Sequence, residues 1–163
     1  MGGPGAWQLE KANRLDKFRI DYLIDGEIER VFGARIVKIP KEMQPTVEEI
    51  PVVQHRSTFG VCEITRGCGR GCQFCSPATK VGRSFPLEHI IASAKVNARE
   101  GATEVMPAWE DMFLYEQLPN FETNVPALEK LAGFRSIAAG PGIKTIQTSH
   151  ITIAPVVTDP SSR

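Results

Sequence analysis

From Thr58 onward the chain switches repeatedly between two spacings of apolar residues. Phe59 to Thr65 (Phe-Gly-Val-Cys-Glu-Ile-Thr) is short and apolar-rich, and predicts a strand. Phe85 to Glu100 changes period: Leu87, Ile90, Ile91, Ala94 and Ala98 recur at helical spacing and form one stripe. Pro86 suits the first turn of that helix and Gly101 its C-terminal stop. Thr103 to Trp109, centred on Val105, predicts a second strand. Asn124 to Ala139 predicts a second helix, with Pro126 in its first turn and Leu128, Leu131 and Ala138 facing inward. Gly133 weakens its middle, and Gly140-Pro141-Gly142 ends it. Ile143 to Val157 holds a third strand, bounded by Pro155. This alternation is the rhythm of a parallel sheet, in which ligands gather at the C-terminal ends of the strands.

Residues 1–57 follow a different pattern. Gly2-Gly3-Pro4-Gly5 predicts a tight turn, and a polar, helical stretch runs on to Phe18. Ile20 to Glu27 predicts a short strand ending at a glycine turn. Glu27 to Phe32 starts a helix, and Ala34 to Ile39 is a further strand ended by Pro40. Pro45 to Gln54 has the prolines of a linker.

Composition narrows the class. A chain of 163 residues is about one domain, and 42% hydrophobic with 23% charged residues is ordinary for a soluble globular protein. The formal net charge is zero, so nothing points to nucleic acid or an anionic membrane as main partner. No apolar run approaches the ~20 residues of a membrane span. The N-terminus lacks the basic and apolar regions of a secretory signal. Ala6 stands where a myristoylation pattern needs a hydroxyl.

The four cysteines change the picture most. Three of them, Cys68, Cys72 and Cys75, lie in Gly67-Cys68-Gly69-Arg70-Gly71-Cys72-Gln73-Phe74-Cys75. Clustered cysteines in a chain without an export signal read as metal binding in a reducing cytoplasm. Thiolates select soft metals: zinc, copper(I) or iron–sulfur clusters. Three ligands rather than four would leave one metal position open. A structural zinc site normally needs a second cysteine pair, and His55, His89 and His150 are scattered. Cys62 alternates with Gly60 and Ile64, which suggests a small buried apolar side chain.

In order and spacing, Cys68, Cys72, Phe74 and Cys75 resemble the Cys-x3-Cys-x-aromatic-Cys signature of the radical S-adenosylmethionine enzymes. The resemblance implies a [4Fe–4S] cluster on Cys68, Cys72 and Cys75, with S-adenosylmethionine chelated to the fourth iron. It implies reductive cleavage to methionine and a 5′-deoxyadenosyl radical, with Phe74 beside the adenine. It also implies an electron donor such as a flavodoxin or ferredoxin. Glu110, in Ala108-Trp109-Glu110-Asp111, stands where the family often carries a Gly-Gly-Glu-like motif holding the methionine amino group; the glycines are replaced here. Glu110-Asp111-Met112-Phe113 resembles the acidic pair and aromatic of cobalamin-type relatives. By the same resemblance Ser149, with Gln147 on its face by period two, would contact the ribose or the methionine carboxylate. Arg66, Arg70 and Lys80 flank the loop, where positive charge favours thiolates. Tyr115 follows the second strand and either lines a pocket or packs.

Gly2-Gly3-Pro4, and Asp21-Tyr22 with Gly26-Glu27, resemble the end of the cobalamin-binding domain that precedes the radical domain in many relatives. The cobalamin motif Asp-x-His-x-x-Gly is absent from the chain, which speaks against cobalamin binding here. The expected fold is α/β: a partial (βα) barrel of about three strand–helix units over residues 58–163, after a remnant of an α/β domain over residues 1–57. By this reading the chain is a piece of a longer architecture. A non-catalytic iron–sulfur module for electron transfer or binding is the alternative function.

Overall fold

The computed structural model describes residues 6–18, 20, 23–25, 36–38, 45–73, 82–108, 111–138, 142–148 and 150–152. Two compact units divide the chain between Ile50 and Pro51. The first contains helix α1 (Ala6–Lys11), a 3-10 turn (Leu15–Phe18) and two short parallel strands, β1 (Leu23–Asp25) and β2 (Ile36–Lys38). Helix α1 lies against β1. The two strands fall inside the segments 20–27 and 34–39. The turn at Gly2–Gly5, the Asp21-Tyr22 and Gly26-Glu27 pairs, and the helix expected over 27–32 lie outside the described residues.

The second unit is mixed α/β around a small parallel sheet. Strands β3 (Val61–Glu63), β6 (Glu104–Ala108) and β7 (Thr145–Ile146) are ordered β3-β6-β7, all parallel. Helix α2 (Leu87–Arg99) connects β3 to β6, and α3 (Val125–Ala138) connects β6 to β7. The two helices touch, as crossovers stepping in one direction across a sheet require. No closed barrel forms among the described residues. None of their helices is long and apolar enough to cross a membrane.

One face of the sheet is packed and the other is half open. Cys62, Val105 and Pro107 are buried, while the alternating Val61, Glu63, Glu104, Met106 and Ala108 are half-buried. Helix α2 covers the packed face with Ile90, Ser93, Ala94 and Asn97. This stripe is rotated from the purely apolar one, because Asn97 has polar work there. Its side-chain oxygen accepts from Ser57 N at 2.8 Å and Ser57 Oγ at 3.0 Å. Its amide donates to the carbonyls of Ser93 at 3.0 Å and Val61 at 3.4 Å, and lies 3.6 Å from Cys62 Sγ. On α3, Ala127, Leu131 and Phe134 are buried and Leu128 half-buried; the side chain of Ala138 lies outside the described residues.

The first strand starts later than Phe59. Phe59 and Gly60 both have positive φ, +57° and +62°, and form a 3-10 turn with Thr58. At Gly60 a Cβ would collide with the Glu104 carbonyl oxygen, so only glycine lets β3 approach β6 here. Pro107 sits in the central strand without an N–H to donate. The β7 ladder has already ended there, at the bond from Gln147 N to Val105 O.

Two further strands lie at the exit of β3. β4 (Thr65–Arg66) pairs antiparallel with β5 (Arg83–Ser84), in register Thr65↔Ser84 and Arg66↔Arg83. They bracket the cysteine loop and close its base.

Candidate functional site

The cysteine loop leaves the C-terminal end of β3 by way of β4. Gly67, Gly69 and Gly71 alternate with Cys68, Arg70 and Cys72, and all three glycines have φ between +70° and +75°. Residues with a Cβ adopt that region only under strain, so the glycines let the backbone reverse hand between the thiols. Cys68 is buried at 8% exposure and Cys72 is half-buried; both gather around Leu114, from the loop after β6. Gly82 returns beside the carbonyls of Gly67 and Cys68. Cys62, Cys68 and Cys72 are free thiols.

Asp111 is the polar centre of this rim. It is 4% exposed and lies just beyond the C-terminal end of β6. Its Oδ2 accepts from Arg70 Nη2 at 2.9 Å and from Thr152 Oγ1 at 2.7 Å. Its Oδ1 accepts from the backbone N–H groups of Phe113 and Thr152, both at 3.2 Å. The bond to Phe113 caps the 3-10 turn Met112–Leu114, which seats Leu114 against the cysteines. Segments following all three parallel strands therefore meet at one carboxylate.

The candidates separate clearly. Phe74, Cys75, Glu110, Ser149 and Lys80 lie outside the described residues, as do Trp109 and the third strand's expected continuation beyond Thr152. Cys68 and Cys72 pack in one cluster with Leu114. Cys62 is fully buried against Asn97, and burial pushes its thiol up to about 11, as befits a packing residue rather than a nucleophile. Arg66 forms a two-pronged pair with Glu63, both contacts at 2.6 Å, and lies over the Phe85 ring. Tyr115 packs: it is 2% exposed and its hydroxyl donates to the Phe85 carbonyl at 3.0 Å. Burial, then Glu116 and Glu88, push its hydroxyl up to about 12. Gln147 is exposed, and the carbonyl of exposed His150 accepts from Met112 N.

Thr152 is the participant that pattern alone did not suggest, and Arg70 and Asp111 hold more specific roles than flanking charges. One local signal was available at Asp111: an acid directly before Met112-Phe113-Leu114 is a capping pattern.

Among the described residues no three His, Cys, Asp or Glu side chains gather at one point; Cys75 is not one of those residues. A cleft of about 540 Å³ lies elsewhere, between α3 and β7, and is lined chiefly by apolar groups such as Leu128, Leu131 and Ile146, with no cysteine. The donor set at the loop suits a soft metal: two neighbouring thiols, one buried and one half-buried, on a backbone free to wrap. No family model and no curated protein matches the chain.

Proposed function

We propose that this chain is a radical S-adenosylmethionine protein, and that residues 58–163 form part of a (βα) barrel of that type. The observation that carries the proposal is that Cys68 and Cys72 pack together with Leu114 at the C-terminal rim of a parallel sheet. Cys68, Cys72 and Cys75 would hold a [4Fe–4S] cluster. When bound, that cluster supplies the electron that splits S-adenosylmethionine into methionine and a 5′-deoxyadenosyl radical. The chain's own residues then have distinct tasks. The glycines let the loop wrap, Leu114 shields the buried thiol, and β4 with β5 hold the loop ends together. Asp111 is fully engaged by Arg70, Thr152 and two backbone N–H groups. Its neighbour Glu110 is the carboxylate proposed for the methionine ammonium, with Phe74 and Ser149 as further cofactor contacts. A flavodoxin or ferredoxin is the proposed electron donor.

Anaerobic reconstitution with iron and sulfide tests this reading. The expected result is about four irons per chain, lost on Cys68→Ala, Cys72→Ala or Cys75→Ala. Incubation with S-adenosylmethionine and a strong reductant is expected to release 5′-deoxyadenosine. Bound zinc in place of iron would overturn the assignment. A stable cluster without nucleoside release would leave an iron–sulfur module that does no radical chemistry.

A further inference from the structure

Arg70 is placed midway between Cys68 and Cys72, two residues from each. Its Nη2 bonds Asp111 at 2.9 Å and lies 3.4 Å from Thr152 Oγ1. Its Nε is buried and has no hydrogen-bond partner among the described residues. Its guanidinium carbon is 6.0 Å from the centre of the Phe121 ring. Phe121 and the preceding Asn120 have φ of +63° and +62°, a strained region for residues with a Cβ. The stretch between Cys68 and Cys72 is thus tied to groups from two other strand exits, and an aromatic ring lies over the tie.

A loop with three left-handed glycines has wide freedom when nothing holds it. The β4–β5 ladder fixes where the loop begins and ends, which leaves the stretch between Cys68 and Cys72 to be fixed by something else. From this geometry we propose that Arg70, Asp111 and Thr152 are positioning residues that set the approach of Cys68 to Cys72 before any metal binds. The inference rests on reading the loop as a thiolate site. The tie spends ordering entropy during folding, so the ligand need not supply it. Outer partners that orient metal ligands act in this way generally. Asp111 serves from the centre of the tie, because one carboxylate both bonds Arg70 and caps the turn that carries Leu114.

The test measures thiol spacing without iron. Phenylarsine oxide, which bridges two neighbouring thiols, is titrated into the reduced, metal-free full chain carrying Cys75→Ser. Cys68 and Cys72 are then the available pair, since Cys62 is buried. The Cys75→Ser chain is expected to bind the arsenical. Adding Arg70→Gln or Thr152→Val is expected to weaken binding about tenfold. Arg70→Lys should recover part of the loss, and Lys95→Gln on the exposed side of α2 should change nothing. Iodoacetamide labelling of Cys62 checks the fold in each variant. Unchanged arsenical affinity in both Arg70→Gln and Thr152→Val overturns the proposal while the thiolate reading stands. A variant that exposes Cys62 also counts against it, since the tie would then hold the whole unit rather than the loop. Failure of the Cys75→Ser chain itself to bind would remove both readings.

Discussion

Arg70 and Asp111 are 41 residues apart in the chain and 2.9 Å apart in the fold. The acid is 4% exposed and the arginine 26%, so one partner is desolvated and the other reaches partly into water. Removing a partner from a buried pair strands the other charge. Partial screening of Arg70 reduces that penalty, and Asp111→Ala is expected to cost about 2–3 kcal/mol. Urea unfolding of the two proteins measures it. A difference below about 0.5 kcal/mol would mean that water replaces the carboxylate without loss.

Gly60 lies where β3 meets the central strand, at φ +62° and against the Glu104 carbonyl. Gly60→Ala adds both left-handed strain and a backbone collision. It is expected to cost about 3 kcal/mol, read as a large fall in melting temperature. Gly133→Ala, in α3 with open space around it, is expected to stabilise by up to about 1 kcal/mol.

Asn97 joins α2 to the turn before β3 through Ser57 and Val61. Asn97→Ala takes away the acceptor of the part-buried Ser57 N–H and one of the two donors to the Val61 carbonyl. A loss of about 2–3 kcal/mol is expected, checked by chemical denaturation. Asn97→Asp should fare no better, because its carboxylate cannot donate to the Val61 and Ser93 carbonyls.

Two groups set the alkaline limit of stability. The Cys62 thiol titrates near 9 in an ordinary setting and about 11 here; Tyr115 moves from 10 to about 12. Both are raised chiefly by burial, so unfolding releases protons between the paired values. Their stabilisation is full below pH 9 and is lost as pH rises from 9 to 12. His89 acts at the other end. Burial chiefly lowers it below 6.5, with Glu63 opposing and Arg66 adding to the shift. Its contribution is present above pH 6.5 and lost as pH falls through the lowered value. A plateau between about pH 6.5 and 9 is expected in melting temperature, and a maximum at pH 10 or above would contradict this account.

At pH 8, iodoacetamide is expected to label Cys68 and Cys72 well before Cys62, whose thiol is both buried and raised. Mass spectrometry of digested protein reads the order. Early labelling at Cys62 would show that the contact of β3 with α2 opens readily.

The parts of this fold visible in sequence are those set by local period. Helices α2 and α3 and strand β6 sit within their expected segments because apolar spacing, Pro86 and Gly101 act over a few residues. The buried face of α2 was harder to read. Ser93 and Asn97 look polar until Ser57 and Val61 arrive from elsewhere in the chain. The strand pattern runs back to Phe59 but β3 does not, because the turn needed at Gly60 carries Phe59 into the left-handed region. Strands β4 and β5 have two residues each, too few to carry a period. At the site, cysteine spacing singles out the loop, and Cys68 and Cys72 do pack together there. The Arg70–Asp111–Thr152 tie has no such signal, since its members come from three separate loops and meet only when the sheet assembles.

The ladder between Thr65–Arg66 and Arg83–Ser84 has a consequence for the order of assembly. It closes the segment between Arg66 and Arg83, and antiparallel ladders of this kind form in about 1–10 μs. Strand β3 must wait for residues 106–108 to be made, and Asp111 emerges later still. During synthesis the loop therefore closes only transiently at first, since two short strands alone are marginally stable, and is held once the sheet forms. A ribosome-bound chain ending shortly after Ser84 would carry its sulfurs in a loop that opens and closes, and the sheet that arrives with β6 keeps it shut.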